Sequence, residues 1–191
     1  MASKVQIANR ALQKIGQRRI VDFNENSDRS NEIDACYEFV KNAELETNVW
    51  RFSIERVSIA AMSTAPAFGR DNQYQLPADF IRPAPIDPDI SHFPSDILWE
   101  GTKVLTNDVG PLQLRYVSSA VSEQTFSPLF VEALAARIAI EICEKLTGSN
   151  SKKDSLESAY TFHITKARSV DAIIRGPTES EVDEWIHTRI G

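Results

Sequence analysis

At 191 residues the chain is long enough to bury a real core, as one domain or as one domain with an insertion. Its 27 acidic and 21 basic residues leave a net charge of −6, and no run of like charge occurs, which argues against a dedicated nucleic-acid binder. No apolar run reaches the ~18 residues of a membrane span, and polar residues recur too often in the N-terminal MASKVQIANRALQKIG for a signal peptide, so a soluble protein made in the cytoplasm is expected.

The spacing of Val5, Ala8, Leu12 and Ile15 predicts an amphipathic helix from Ser3 to Ile15, capped by Ser3 and ended by Gly16. Gln17–Asn26 is a polar connection with one apolar patch, Ile20, Val21 and Phe23. A second, long helix starts near Ser27 or Asp28 and runs to about Asn48. Ile33, Cys36, Tyr37 and Val40 make its core face, and Glu38, Lys41, Glu44 and Glu46 fall on the others.

At Trp50 the period changes to two. Trp50, Phe52 and Ile54 alternate, then Val57 and Ile59 follow one step out of phase, which predicts a strand with a bulge or turn near Glu55-Arg56. Ala60–Asp71 reads as a loop or weak strand. Tyr74 and Leu76 form a short strand stopped by Pro77, Ala78–Ile81 a single helical turn, and Pro83, Pro85 and Pro88 an irregular crossing segment. Ile97, Trp99 and Val104 flank a hairpin turn at Glu100-Gly101, and Leu112, Leu114, Tyr116 and Val117 make a further strand.

Ser127–Gly148 predicts the central helix, with Ser127 as N-cap, Pro128 in the first turn and Gly148 as the stop. Leu134, Ile138, Ile142 and Leu146 form one ridge, and Ala135, Ala136, Ala139 and Cys143 a flat strip beside it. Such a helix belongs inside a bundle. Its charges Arg137, Glu141, Glu144 and Lys145 share one narrow arc, the side expected to face a neighbouring subunit. A last helix runs from about Ser151, with Asp154 completing a capping-box pattern, to Arg175, and Gly176-Pro177 ends it. Its core face is Leu156, Ala159, Tyr160, His163, Ile164, Ala167 and Val170–Ile174.

The expected fold is α+β and mainly α. A helical bundle of about four helices is built from residues 1–49 and 121–176, a small antiparallel β unit is inserted at 50–120, and residues 177–191 form an extended tail.

Catalytic chemistry has little to stand on. His92, His163 and His187 lie in unrelated segments, and no metal, nucleophile-elbow or phosphate-loop motif occurs. Cys36 and Cys143 read as buried free thiols, and no cofactor is expected. Asp71, Asp79, Asp87, Asp89 and Asp96 could supply the carboxylate pair of a glycan hydrolase, ~5–9.5 Å apart, but they also suit turns and caps. Trp50 and Trp99 read as core anchors of the β unit. Trp185 stands in a polar tail and, with Ile186, Arg189 and Ile190, suits either docking on a partner or folding back.

Taken together, Ala8-Asn9, Leu12 and Ile15-Gly16, then Trp50-x-Phe52, Tyr74-x-Leu76-Pro77-x-Asp79-Phe80, Ile97/Trp99-Glu100-Gly101, Leu114-x-Tyr116 and Phe126-x-Pro128-x-Phe130-x-x-Ala133-Leu134-Ala135 form an ordered set. This set resembles the tail tubular protein A family of tailed phages, the head-to-tail adaptor or gatekeeper of short-tailed viruses. The resemblance implies a virion structural protein without catalytic residues. It implies that twelve copies form a ring between portal and tail nozzle and that DNA passes through the ring without specific binding. It also implies that the C-terminal segment docks on the portal, which would suit Pro177–Gly191. An acidic or neutral lumen is then expected, since phosphate contacts would retard the duplex. The competing readings are a glycan hydrolase of the tail and a monomeric helical interaction module.

Overall fold

The computed structural model describes residues 2–84 and 96–175. Four helices and two small antiparallel sheets make an α+β, mainly α fold. Two compact units divide the described chain, one of residues 37–125 and the other of residues 2–36 and 126–175. The division falls inside the second helix rather than at its end.

In the helical unit, α1 (Lys4–Ile15) is closed at both ends by its own sequence. Ser3 Oγ accepts from Gln6 N at 3.3 Å while Gln6 Oε1 accepts from Ser3 N at 3.1 Å. Gly16 ends the helix at φ 77°, a conformation that costs other residues energy. Ile7, Ala8, Ala11, Leu12 and Ile15 are buried. Asn9 fixes the chain beyond the helix, since its side-chain oxygen accepts from Ile20 N at 2.8 Å and its amide donates to Ile20 O at 2.9 Å.

The helix α2 (Asp28–Thr47) follows, and its first residues, to Cys36, belong to this unit. The helix α3 (Pro128–Thr147) starts where Ser127 Oγ accepts from Phe130 N at 3.3 Å and stops at Gly148, φ 64°. Ala133, Ala135, Ala136 and Ala139 are fully buried beside Leu134 and Ile138. This apolar surface packs against both α1 and α4 (Asn150–Arg175). Each methylene buried there contributes about 0.8 kcal/mol, so the alanine strip gains by close approach rather than by bulk.

The other unit contains the rest of α2 and all the strands. One sheet orders β1 (Ile54–Ile59), β6 (Leu112–Ser118) and β3 (Phe80–Pro83) with β6 central. The second orders β2 (Asn72–Gln75), β5 (Lys103–Thr106) and β4 (Leu98–Glu100) with β5 central. Gly101 turns the β4–β5 hairpin at φ 57°. Side chains of both sheets share one apolar cluster: Tyr74, Leu76, Val104, Leu112, Leu114 and Tyr116, with Val57, Ile59, Phe80 and Ile97 at its margin.

Several local expectations change. Trp50 and Phe52 do not lie in a strand, because Arg51–Ser53 forms a single 3-10 turn and β1 starts only at Ile54. There is then no slip at Glu55-Arg56, and the β1–β6 register runs unbroken from Ile54↔Val117 to Ile59↔Leu112. Phe80 and Ile81 are in β3, not in a helical turn, and Pro83 is the last residue of that strand, where a missing N–H is tolerated at a sheet edge. Lys41 and Glu44 are buried rather than solvated. Lys41 Nζ reaches Glu38 Oε2 at 2.6 Å, and the Glu44 carbonyl accepts from Trp50 Nε1 at 3.0 Å. Helix α4 begins one residue earlier than expected, and the hydroxyl that accepts from Lys152 N is that of Ser149, at 3.4 Å, not that of Ser151.

Candidate functional site

The charged arc of α3 is the first candidate surface. Arg137 Nη2 lies 2.8 Å from Glu141 Oε1 one turn on, and Lys145 Nζ donates to Glu32 of α2. Glu141, Glu144 and Lys145 are exposed. The arc is therefore a solvent-facing strip whose charges are already partly matched within the helical unit. Lys4 Nζ on α1 adds a further link to α2 through Asp34 Oδ1 at 2.8 Å. The second predicted group, Trp185, Ile186, Arg189 and Ile190, lies outside the described residues, as do Asp87, Asp89, His92 and His187.

Beside the arc sits Cys36. Burial, reinforced by the charges of Glu141 and Glu32, pushes its thiol up to about 11. It is protonated at neutral pH and is no nucleophile. Cys143 is buried, and both thiols are free.

Glu132 of α3 is a functional-looking carboxylate. It accepts from Arg10 Nε at 2.7 Å and from Lys14 Nζ at 2.9 Å. Burial pushes the carboxyl up, but the two hydrogen bonds and the two positive charges outweigh it and hold it below the usual carboxylate range. The result is a clamp between α1 and α3.

Near the end of α4, Val170, Ile173 and Ile174, which the sequence placed on the core face, lie on the surface, as does Phe162 further back in the helix. Phe162, Val170, Ile173 and Ile174 are 59, 40, 77 and 55% exposed, while Leu156, Ile164, Ala167 and Asp171 are buried. Phe162, Val170, Ile173 and Ile174 follow at steps of eight, three and one, which places them on one helical face adjoining the buried one. Helical spacing sets Phe162 and Ile173 about 100–120° round from Leu156 but leaves Val170 and Ile174 within about 40° of it, so periodicity alone does not divide the two faces.

Of the acidic loop residues of the β unit, Asp79 and Asp96 bond to groups of their own surroundings. Asp79 accepts from Tyr116 Oη at 3.1 Å and from Ser118 Oγ, and its carbonyl accepts from Ser119 N at 2.8 Å. Burial and then Asp79 itself push the Tyr116 hydroxyl up to about 12. Asp96 accepts from Thr106 Oγ1 at 2.6 Å and Asn107 Nδ2 at 2.7 Å and lies 3.4 Å from Arg70 Nη1. The Thr106 hydrogen bond leads, burial opposes, and the net effect holds Asp96 below the usual range. Each of these two carboxylates is held by the strands that surround it, in a different sheet. Asp71 is exposed.

Trp50 is fully buried, as expected of an anchor. Trp99 is 39% exposed and stacks on Phe80 with ring centres 5.6 Å apart, so it caps the cluster edge instead of filling the core. His163 is half-buried, edge-on to Phe162 at 5.5 Å.

Among the described residues no three His, Cys, Asp or Glu gather as a metal site, and no helix is long and apolar enough to cross a membrane. No family model matches the chain, and no curated protein matches it.

Proposed function

We propose that the protein is a virion structural component, a head-to-tail adaptor that assembles as a ring of about a dozen copies between the portal and the tail nozzle and lets DNA pass. The observation that supports this reading most is the physical unity of two of the motifs behind the resemblance. Tyr74-x-Leu76-Pro77-x-Asp79-Phe80 and Leu114-x-Tyr116 meet in one cluster. There Phe80 stacks on Tyr116 at 5.7 Å and Asp79 accepts from the Tyr116 hydroxyl. Part of the residues that carry the likeness thus build the core of the β unit, and a scaffold role needs no more chemistry from them. The helical unit adds two surfaces suited to assembly, the α3 arc and the exposed apolar stripe of α4, next to the Trp185-Ile186 tail segment in sequence.

Size-exclusion chromatography with light scattering, on the chain alone and mixed with a portal ring, tests the proposal. A ring-sized complex on the portal is expected, whether or not the free chain is monomeric, because assembly coupled to the partner places the ring where it is needed. A chain that stays a strict monomer and ignores the portal ring overturns it.

A further inference from the structure

The last turns of α4 leave an apolar stripe uncovered. At ~100° per residue, Phe162, Lys166, Val170 and Ile173 fall within an arc of about 80° beside the buried face of Ile164, Ala167 and Asp171. All four side chains of the stripe are exposed. Ile174, also exposed, adjoins it at the helix end. Lys166 Nζ stands 5.7 Å from the centre of the Phe162 ring, so a cation lies within the stripe. Between Tyr160 and Ile174 the only carboxylate is that of Asp171, and it is buried. Single exposed apolar side chains are ordinary, but a row of them at helical spacing is the form a helix takes where something packs on it.

The chain itself carries a segment of matching chemistry. Gly176-Pro177 stops the helix, and residues 178–191 hold Glu179, Glu181, Asp183 and Glu184, with Arg189 as their only lysine or arginine. Val182, Trp185, Ile186 and Ile190 follow at i, i+3, i+4 and i+8, the spacing of one apolar face. The segment is acidic and apolar where the stripe is cationic and apolar. It is also long enough. The stripe from Phe162 to Ile174 covers about 18 Å of helix at ~1.5 Å per residue. The chain from Arg175 to Trp185 can extend to about 33 Å, so Trp185 can stand over any turn of the stripe.

Other occupants fit less well. A second copy pairing stripe to stripe would bring Lys166 of both chains into one apolar seam, where like charges repel. A phosphate backbone would meet Lys166 but leave Phe162, Val170 and Ile173 with nothing to bury against. We propose that Val182–Ile190 folds back on its own chain and docks on the Phe162–Ile174 stripe, with Trp185 as the apolar anchor and the neighbouring carboxylates set toward Lys166. A short tether holds the segment near the stripe at an effective concentration on the order of millimolar, so modest contacts suffice. Docking does not rest on the adaptor reading. Within that reading it keeps the stripe covered until assembly displaces the tail.

Fluorine NMR of the full chain labelled with fluorotryptophan tests the proposal with no portal present, so the two readings fail separately. The three tryptophans give three resonances, and Trp185→Phe identifies the one from the tail. That resonance is expected away from the position of free fluorotryptophan, and unmoved on dilution. Phe162→Ser combined with Ile173→Ser should return it to the free position, and Lys166→Glu should move it part of the way. Val109→Ser, at an exposed apolar side chain of the other unit, should leave it in place. Circular dichroism checks that each variant is folded, and Lys166→Glu, a change of one surface charge, decides if the double variant is not. A Trp185 resonance at the free position in the unaltered chain, one indifferent to the stripe variants, or one that shifts on dilution, the mark of docking between copies, overturns the proposal.

Discussion

Glu132 joins α1 to α3 through two cations, and its side chain is only 27% exposed. Partial exposure limits what the clamp is worth, because surface pairs contribute 1 kcal/mol or less and solvent screens them. Two convergent donors raise that figure, so Glu132→Gln should cost about 1 kcal/mol at neutral pH, measured by urea unfolding. Its carboxyl titrates lower in the folded state than in the unfolded chain. The stabilisation is therefore complete above the ordinary carboxylate range and fades as pH falls through the folded value. The gap between wild type and Glu132→Gln should close at acid pH, and a gap that stays constant from pH about 7 to about 2.5 would remove the clamp from the account. Asp79 and Asp96 show the same economy in the β unit, where carboxylates that could have meant chemistry are spent on hydroxyls and amides of their own sheets.

At the scale of elements, the helices were legible because their signals are local. The Ser3 cap, Gly16, Ser127-Pro128 and Gly148 each act within a turn of the residue they govern, and the structure uses all of them. The strands were less so. Trp50-x-Phe52-x-Ile54 has the alternation of a strand, but Trp50 is buried with its indole N–H on the Glu44 carbonyl and Arg51–Ser53 forms a 3-10 turn, which alternation of residue type does not register. Alternation also cannot say which strand pairs with which, so the division into two sheets was not visible. Lys41 and Glu44 fall outside the predicted core face of α2 and are buried nonetheless, because periodicity registers side-chain type and not what another segment lays over it. The arc of α3 was legible as a charged strip, but its partner Glu32 on another helix was not. The start of α4 gives a clean discriminating case. Ser149→Ala should destabilise the protein by about 1 kcal/mol in thermal or urea unfolding and Ser151→Ala by a few tenths at most, and equal effects would restore Ser151 as the cap.

At the scale of the whole molecule, the adaptor reading asks the chain to be a part rather than a machine, and the distribution of its side chains suits that. Asp79, Asp96 and Glu132 are committed to internal bonds, Cys36 is protonated and Cys143 buried, and apolar surface is left at the far end of α4. One further property follows from the position of β6. It lies between β1 and β3 in space but after both in sequence. Pairing Ile59 with Leu112 closes 112 − 59 = 53 residues, whereas Glu100 and Lys103 close 3. Loop closure is slow when contacts are distant, and synthesis runs from the N-terminus. The hairpin β4–β5 can therefore form while β1 and β3 still wait, unpaired, for a strand not yet made. Pulsed hydrogen exchange during refolding should show amides of Lys103–Thr106 protected before those of Ile54–Ile59, with simultaneous protection counting against this order. Until Ser118 has emerged, two strands of the nascent chain have open edges, and the interval between the two sheets is the protein's window of vulnerability to aggregation.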